Sequence, residues 1–176
     1  LAKFRDNLFE KVHTTENIDA QIKILESTCE DLKFKLKGCA NQIHKKRKSV
    51  VNDLTDQIEN VLHELGMVNS KFKISLSRTE NFYTNGMDLI DFEFLANKGY
   101  KFKKIQDSVS GGEMSRIMLS IKSIMAKYKK IPSIIFDEID TGVSGEISKK
   151  MGHIMKELGT KIQTFSITHL PQIAAM

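Results

Sequence analysis

Nowhere in the 176 residues does an apolar run approach the roughly 20 that a helix needs to cross a membrane. The two cysteines, Cys29 and Cys39, do not have metal-ligand spacing. Both fall on an apolar helical stripe, which predicts buried, reduced thiols. No Gly-x-x-x-x-Gly-Lys-Ser/Thr run occurs, so there is no cradle of backbone N–H groups and no lysine to hold β- and γ-phosphates. That excludes a chain able to grip a nucleoside triphosphate alone. There is no internal repeat and no low-complexity linker. The chain opens on Leu1, with neither an initiator methionine nor a secretory pattern, and so reads as an intracellular protein cut from a longer one. Neither charge sign dominates: 27 basic residues face 22 acidic ones, a net +5 that tolerates an acidic partner without demanding it.

What is present divides by periodicity. Ile18, Ile22, Leu25, Cys29, Leu32, Leu36, Cys39 and Ile43 alternate spacings of four and three, the 3.5-residue repeat of a coiled-coil seam. After the basic run Lys45-Lys46-Arg47-Lys48 the stripe resumes, shifted in phase, at Val50, Leu54, Ile58, Val61 and Leu65. The spacing predicts a long helix leaving a coiled coil, entering a globular body and stopping near Gly66. Residues 1–13 read as helical, with a possible break at 14–17. From residue 71 the pattern alternates as strands do, with a turn at Asn85-Gly86 between two antiparallel runs. A helix over 113–128 is predicted to bury Met114, Ile117, Met118, Ile121 and Met125. Apolar runs at 131–136 and 162–167 read as strands covered on both faces, with a helix over 146–158 between them. That order predicts parallel crossovers. The basic run, and the lysines at 101–104 and 127–130, could meet nucleic-acid phosphates; such runs are more often solvated faces.

Three loops carry chemistry. Ser110-Gly111-Gly112-Glu113 opens a helix; Ser110 and Glu113 suit a capping box, while two glycines let a phosphate approach free N–H groups. Ile134-Ile135-Phe136-Asp137-Glu138 ends an apolar strand in two carboxylates at the ligand-binding edge of an open α/β sheet. Asp137 suits Mg²⁺ and Glu138 suits orienting or deprotonating an attacking water; two exposed strand-end acids are the plain alternative. Ile167-Thr168-His169-Leu170-Pro171 sets a histidine just past the next strand, where it could touch a γ-phosphate or be an ordinary polar residue.

In order and context the three loops resemble an ABC-type ATPase head. Residues 110–113 resemble the signature loop, 134–138 the Walker B strand, 140–142 the D-loop, and His169 the switch histidine. The coiled coil ahead of the signature loop resembles the branch containing SMC proteins and Rad50. The stretches Ser110-Gly111-Gly112-Glu113-Met114-Ser115-Arg116, Phe136-Asp137-Glu138-Ile139-Asp140-Thr141-Gly142-Val143-Ser144-Gly145 and Thr168-His169-Leu170-Pro171-Gln172 look closest to the bacterial RecN family. This close resemblance covers residues 108–176.

The resemblance implies an α/β fold, the C-terminal part of an ABC-type P-loop NTPase head. A helical coiled-coil segment (1–48) would precede antiparallel strands leading into a parallel sheet (49–176). It implies catalytic roles for Glu138 and His169, nucleotide contacts from Ser110, Gly111, Gly112, Glu113 and Asp140, and metal binding by Asp137. ATP and Mg²⁺ would be bound in the complete head dimer, the fragment alone being inactive. The implied partners are the N-terminal half of the same protein carrying Walker A, a second head in a homodimer, and DNA gripped without regard to sequence. The implied setting is the bacterial cytoplasm, at the nucleoid, in an ATP-driven clamp for recombinational double-strand break repair. An SMC or Rad50-like chromosome protein head, and a purely structural coiled-coil dimerisation module, are the competing readings.

Overall fold

The computed structural model describes residues 2–129, 131–143 and 145–176, with side chains at 7–16, 107 and 108 left aside. Helix α1, Ala2–Glu64, runs without interruption through 14–17, so no break occurs there. It stops at Gly66, whose φ of +84° is one that glycine adopts at little cost. The Gly66 N–H donates to the His63 carbonyl at 3.0 Å and the Met67 N–H to the Leu62 carbonyl at 2.9 Å. These two bonds make a Schellman cap, with apolar Met67 and Leu62 in one core cluster.

Strands β1 (Lys71–Tyr83), β2 (Gly86–Leu95) and β3 (Lys103–Lys104) form a sheet in that order, Phe94 pairing antiparallel with Lys103. A short helix α2 (Ile105–Ser108) leads to α3 (Gly111–Tyr128). Then come β4 (Ser133–Asp137), α4 (Glu146–Gly159), β5 (Gln163–Ile167) and the one-turn α5 (Pro171–Ala174). β4 and β5 lie parallel with Ser133 opposite Gln163 and Asp137 opposite Ile167.

The chain divides into two compact units. The first runs to Arg47 and takes in Arg78–Asp88, the tip of the β1–β2 hairpin. The hairpin packs on α1 through a buried carboxylate: Asp88 accepts from Arg47 Nη1 at 2.9 Å and lies 2.7 Å from His44 Nδ1. Arg47 also donates to the Asn85 carbonyl at 2.7 Å. Arg47 of the basic run is therefore spent on an internal ion pair. The seam residues Ile18, Ile22, Leu25, Leu32 and Leu36 are exposed, and so are Cys29 and Cys39. The expectation of buried thiols is corrected: a heptad stripe is covered by a second long helix, and among the described residues none lies along it.

The second unit, Lys48–Ser77 with Leu89–Met176, has two apolar clusters. One joins Ile58, Leu62, Phe72, Phe94, Ile117 and Ile124; the other joins Leu65, Leu119, Phe136, Met151 and Leu158. Helix α3 therefore packs on two sides, burying Ile117, Leu119, Ser120, Ser123 and Ile124. The two serines satisfy their hydroxyls on the carbonyls of Ile117 and Ser120, both at 2.8 Å. Met118 and Met125, expected inside, are 37% and 42% exposed along an open groove. The strands also depart from expectation. In β4, Ile134 and Phe136 are buried while Ile135 is 59% exposed, and in β5 Phe165 and Ile167 are 48% and 57% exposed. One face of this two-stranded sheet is covered by the chain and the other is not.

Candidate functional site

Helix α3 starts two residues earlier than its periodicity suggests, so both glycines belong to its first turn. The Glu113 carboxylate accepts from the Ser110 N–H at 3.0 Å, which is the return half of a capping box. The two glycines are not equivalent. A Cβ on Gly112 would meet the Gly142 carbonyl oxygen at 2.7 Å, whereas one on Gly111 would find nothing nearer than Thr141 Cγ2 at 4.0 Å. Gly112 is thus required by backbone packing of the 141–142 turn on the helix start. Gly142, at φ +72°, returns the same close approach. Gly111 and Ser110 remain exposed, at the end of a helix whose N–H groups and dipole favour an anion.

Asp137 and Glu138 stand exposed at the C-terminal end of β4. Glu138 has φ +46°, a left-handed conformation uncommon for a non-glycine residue and concentrated at functional turns. Its backbone is fixed on both sides: its N–H donates to the Ile167 carbonyl at 3.0 Å, and its carbonyl accepts from the Thr141 hydroxyl at 2.9 Å. Among the described residues no cluster of three or more His, Cys, Asp or Glu could hold a metal ion. The exposed carboxylate of Asp137 fits Mg²⁺, which keeps several waters and takes one or two carboxylates plus substrate phosphates.

Asp140, which the family pattern suggests touches nucleotide, is fully buried. Its Oδ2 accepts from the Thr168 hydroxyl, from the N–H of His169 at 3.1 Å and from that of Leu170 at 3.2 Å. The same oxygen lies 3.3 Å from His169 Nδ1. Burial pushes the Asp140 carboxyl pKa up, but the hydrogen bonds from Thr168 and the backbone outweigh it and hold the group below its ordinary 3.8. Oδ1 has no partner among the described residues. Asp140 therefore works as an internal clasp on the histidine loop, leaving the His169 side chain 66% exposed.

The three loops are thereby joined. The 110–113 loop touches the 141–142 turn through Gly112, and Asp140 at the head of that turn holds Thr168, His169 and Leu170. Thr168 and Thr141 were not legible as site residues, since a hydroxyl signals nothing until its acceptor is known. Arg116 was also missed; it donates to the carbonyls of Gly112 at 3.0 Å and Leu65 at 3.3 Å, tying the loop to the end of α1.

No protein-family model matches the chain. Among curated proteins it is similar to the DNA repair protein RecN of Halalkalibacterium halodurans, 32% identical over 180 residues, spanning 100% of this chain and 32% of that protein. It is likewise similar to the DNA repair protein RecN of Bacillus subtilis, 32% identical over 191 residues, 100% of this chain and 33% of that one. The Vibrio cholerae protein of the same name is 32% identical over 168 residues, 95% of this chain and 30% of that one. The chain thus spans about a third of the length of these relatives. Among solved structures, an Smc head domain with coiled coil and joint derived from Pyrococcus yayanosii superposes at TM-score 0.59 and 23% identity. That match covers 77% of this chain and 26% of that one. An Smc head bound to the C-winged helix domain of ScpA gives TM-score 0.57 and 23% identity, covering 74% of this chain and 40% of that one. At these identities the likeness is one of fold.

Proposed function

Since the chain belongs to the RecN family and carries the fold of an SMC-type ATPase head, we propose that it is one side of a composite nucleotide site in an ATP-driven clamp for DNA repair. The reading rests on one observation above others: helix start, acidic turn and histidine loop are linked by direct contacts, Gly112 on Gly142 and Asp140 on Thr168 and His169.

In this reading Ser110, Gly111 and the capped α3 N-terminus form the signature loop, offering N–H groups to the γ-phosphate of ATP held by a second protomer. Glu113 closes the cap on the Ser110 N–H through Oε2, beside the same loop. Within its own protomer the chain offers Asp137, Glu138 and His169 to a nucleotide gripped by the Walker A loop of the N-terminal half. Asp137 is the residue that would hold Mg²⁺, which supplies neutralisation of phosphate charge. Glu138 orients and deprotonates the attacking water, and the exposed His169 ring reports the γ-phosphate. Two heads close when both surfaces share ATP and part after hydrolysis, giving a nucleotide-controlled clamp on DNA at the nucleoid. Residues 1–48 belong to the coiled-coil arm and 49–176 to the head.

The test is Glu138→Gln in the full-length protein. It should cut ATP turnover by two orders of magnitude or more while letting an ATP-dependent dimer accumulate on size exclusion. Turnover equal to wild type would sink the assignment.

A further inference from the structure

From residue 32 to residue 52 the sequence contains no aspartate or glutamate, yet it carries Lys33, Lys35, Lys37, Lys45, Lys46, Arg47 and Lys48. At 1.5 Å per residue this acid-free stretch of α1 extends about 30 Å. In heptad terms the seam occupies positions a and d, with Ile22, Cys29 and Leu36 at a and Leu25, Leu32 and Cys39 at d. Phe34, Lys37, Asn41 and His44 then fall at f and b, the side turned away from the seam, with Lys33 and Arg47 at e on its flank. That is the side on which the β1–β2 hairpin tip packs, through the Asp88 ion pairs and Arg78 donating to Asn41 Oδ1. Pairing of the seam with another helix leaves the f and b positions open.

Between helix and hairpin lies a groove of about 500 Å³, lined in part by Lys33, Phe34, Lys37, Arg78, Phe82 and Met87. Three cations face it against one acid, Glu80. Among the described residues no carboxylate pairs with Lys33, Lys37 or Arg78. Phe34, at an outward f position where a coiled coil normally carries a polar residue, is 82% exposed, and Phe82 and Tyr83 are 43% and 46% exposed. A solvated basic face accounts for the lysines but not for phenylalanines left in water beside them. Cations lining a track with aromatic rings interleaved are what single-stranded nucleic acid selects, phosphates on the cations and bases stacked on the rings.

We propose that this groove is a binding site for single-stranded DNA, with Lys33, Lys37 and Arg78 contacting phosphates and Phe34 and Phe82 stacking bases. It deepens the DNA-binding part of the proposed function and rests on that part alone; the assignment of the nucleotide site is independent of it. A duplex keeps its bases stacked on one another and gains only the phosphate contacts here.

The experiment uses the full-length protein and fluorescence anisotropy, with labelled oligo-dT of about 20 nucleotides and a blunt duplex of the same length as probes. Phe34→Ala with Phe82→Ala should weaken oligo-dT binding about 30-fold or more, one stacked base per ring, and change duplex binding less than threefold. Lys33→Ala with Lys37→Ala should lower the slope of log affinity against log salt by about 1.4, two single-strand phosphate contacts. DNA-independent ATP turnover should stay at wild-type level in both, which reports an intact fold. Oligo-dT affinity unchanged in both double variants, with wild type still binding, overturns the site and leaves DNA binding standing elsewhere. Equal losses on both probes from the phenylalanine variant overturn the single-strand assignment. A wild type that binds neither probe overturns the DNA-binding reading and this site with it.

Discussion

Alanine at Gly112 and alanine at Gly111 should behave oppositely, although the two glycines are neighbours in one helical turn. A Cβ on Gly112 would sit 2.7 Å from the Gly142 carbonyl oxygen and 3.2 Å from its carbon, both backbone atoms. Ordinary van der Waals contact begins near 3.4 Å, so the 141–142 turn must retreat by several tenths of an ångström. That turn cannot move freely, because Asp140 beside it holds the histidine loop. Overpacking of this kind costs about 1–3 kcal/mol. A Cβ on Gly111 reaches only Thr141 Cγ2 at 4.0 Å, so alanine there is tolerated and can gain up to about 1 kcal/mol of helix propensity. Comparing the two variants cancels much of the propensity term and leaves the packing term. Unfolding free energies of the two single variants from urea titration, measured side by side, should differ by about 1–3 kcal/mol against Gly112→Ala. ATP turnover of the full-length protein should fall in both: in Gly112→Ala because the turn shifts, and in Gly111→Ala because a methyl group stands at the phosphate-facing N–H groups. A Gly112→Ala variant as stable as Gly111→Ala would refute the backbone contact between the two loops.

Asp140→Ala removes the acceptor of one hydroxyl and two N–H groups, and should cost about 2–3 kcal/mol by equilibrium denaturation. In the full-length protein it should also lower turnover, because His169 loses its anchor; wild-type turnover would refute the clasp. Arg47→Ala leaves Asp88 buried with His44 alone, and should raise amide hydrogen exchange in residues 78–88 by an amount equivalent to about 2 kcal/mol of easier opening. Burial alone would raise the Asp88 pKa, but hydrogen bonds from Arg47 and His44 hold it below 3.8. Its contribution is therefore complete above about pH 4 and is lost as pH falls below that. Protection of the hairpin amides should fade over that acid range in wild type and change little there in Asp88→Asn.

Local pattern revealed what local physics decides. The 3.5-residue seam and its shift in phase announced α1, and Gly66 ended it through a cap whose two bonds lie within the six residues 62–67. The alternation at Phe72, Ile74 and Leu76 gave β1, and an apolar run ending in Asp137-Glu138 gave the edge of the parallel sheet. Partners distant in sequence stayed hidden. Arg47 read as part of a solvated basic run because Asp88 lies 41 residues away, and Gly112 read as a phosphate residue because its contact with Gly142 belongs to tertiary packing. Apolar character at Ile135, Phe165 and Ile167 was legible, but their cover was not, and among the described residues these side chains stay about half exposed. Met118 and Met125 show the same limit, since a helix packed on two sides turns a different face inward from the one its methionines suggest.

Whether the 110–113 loop serves a nucleotide held by the other protomer can be measured by mixing two inactive full-length variants, Ser110→Arg and Glu138→Gln. A heterodimer of the two contains one site in which an intact Glu138 faces an intact Ser110. Random exchange into dimers should then restore about a quarter of wild-type ATP turnover from two preparations that are inactive alone. Turnover that stays at the sum of the separate variants, with exchange verified, would contradict a site shared between protomers.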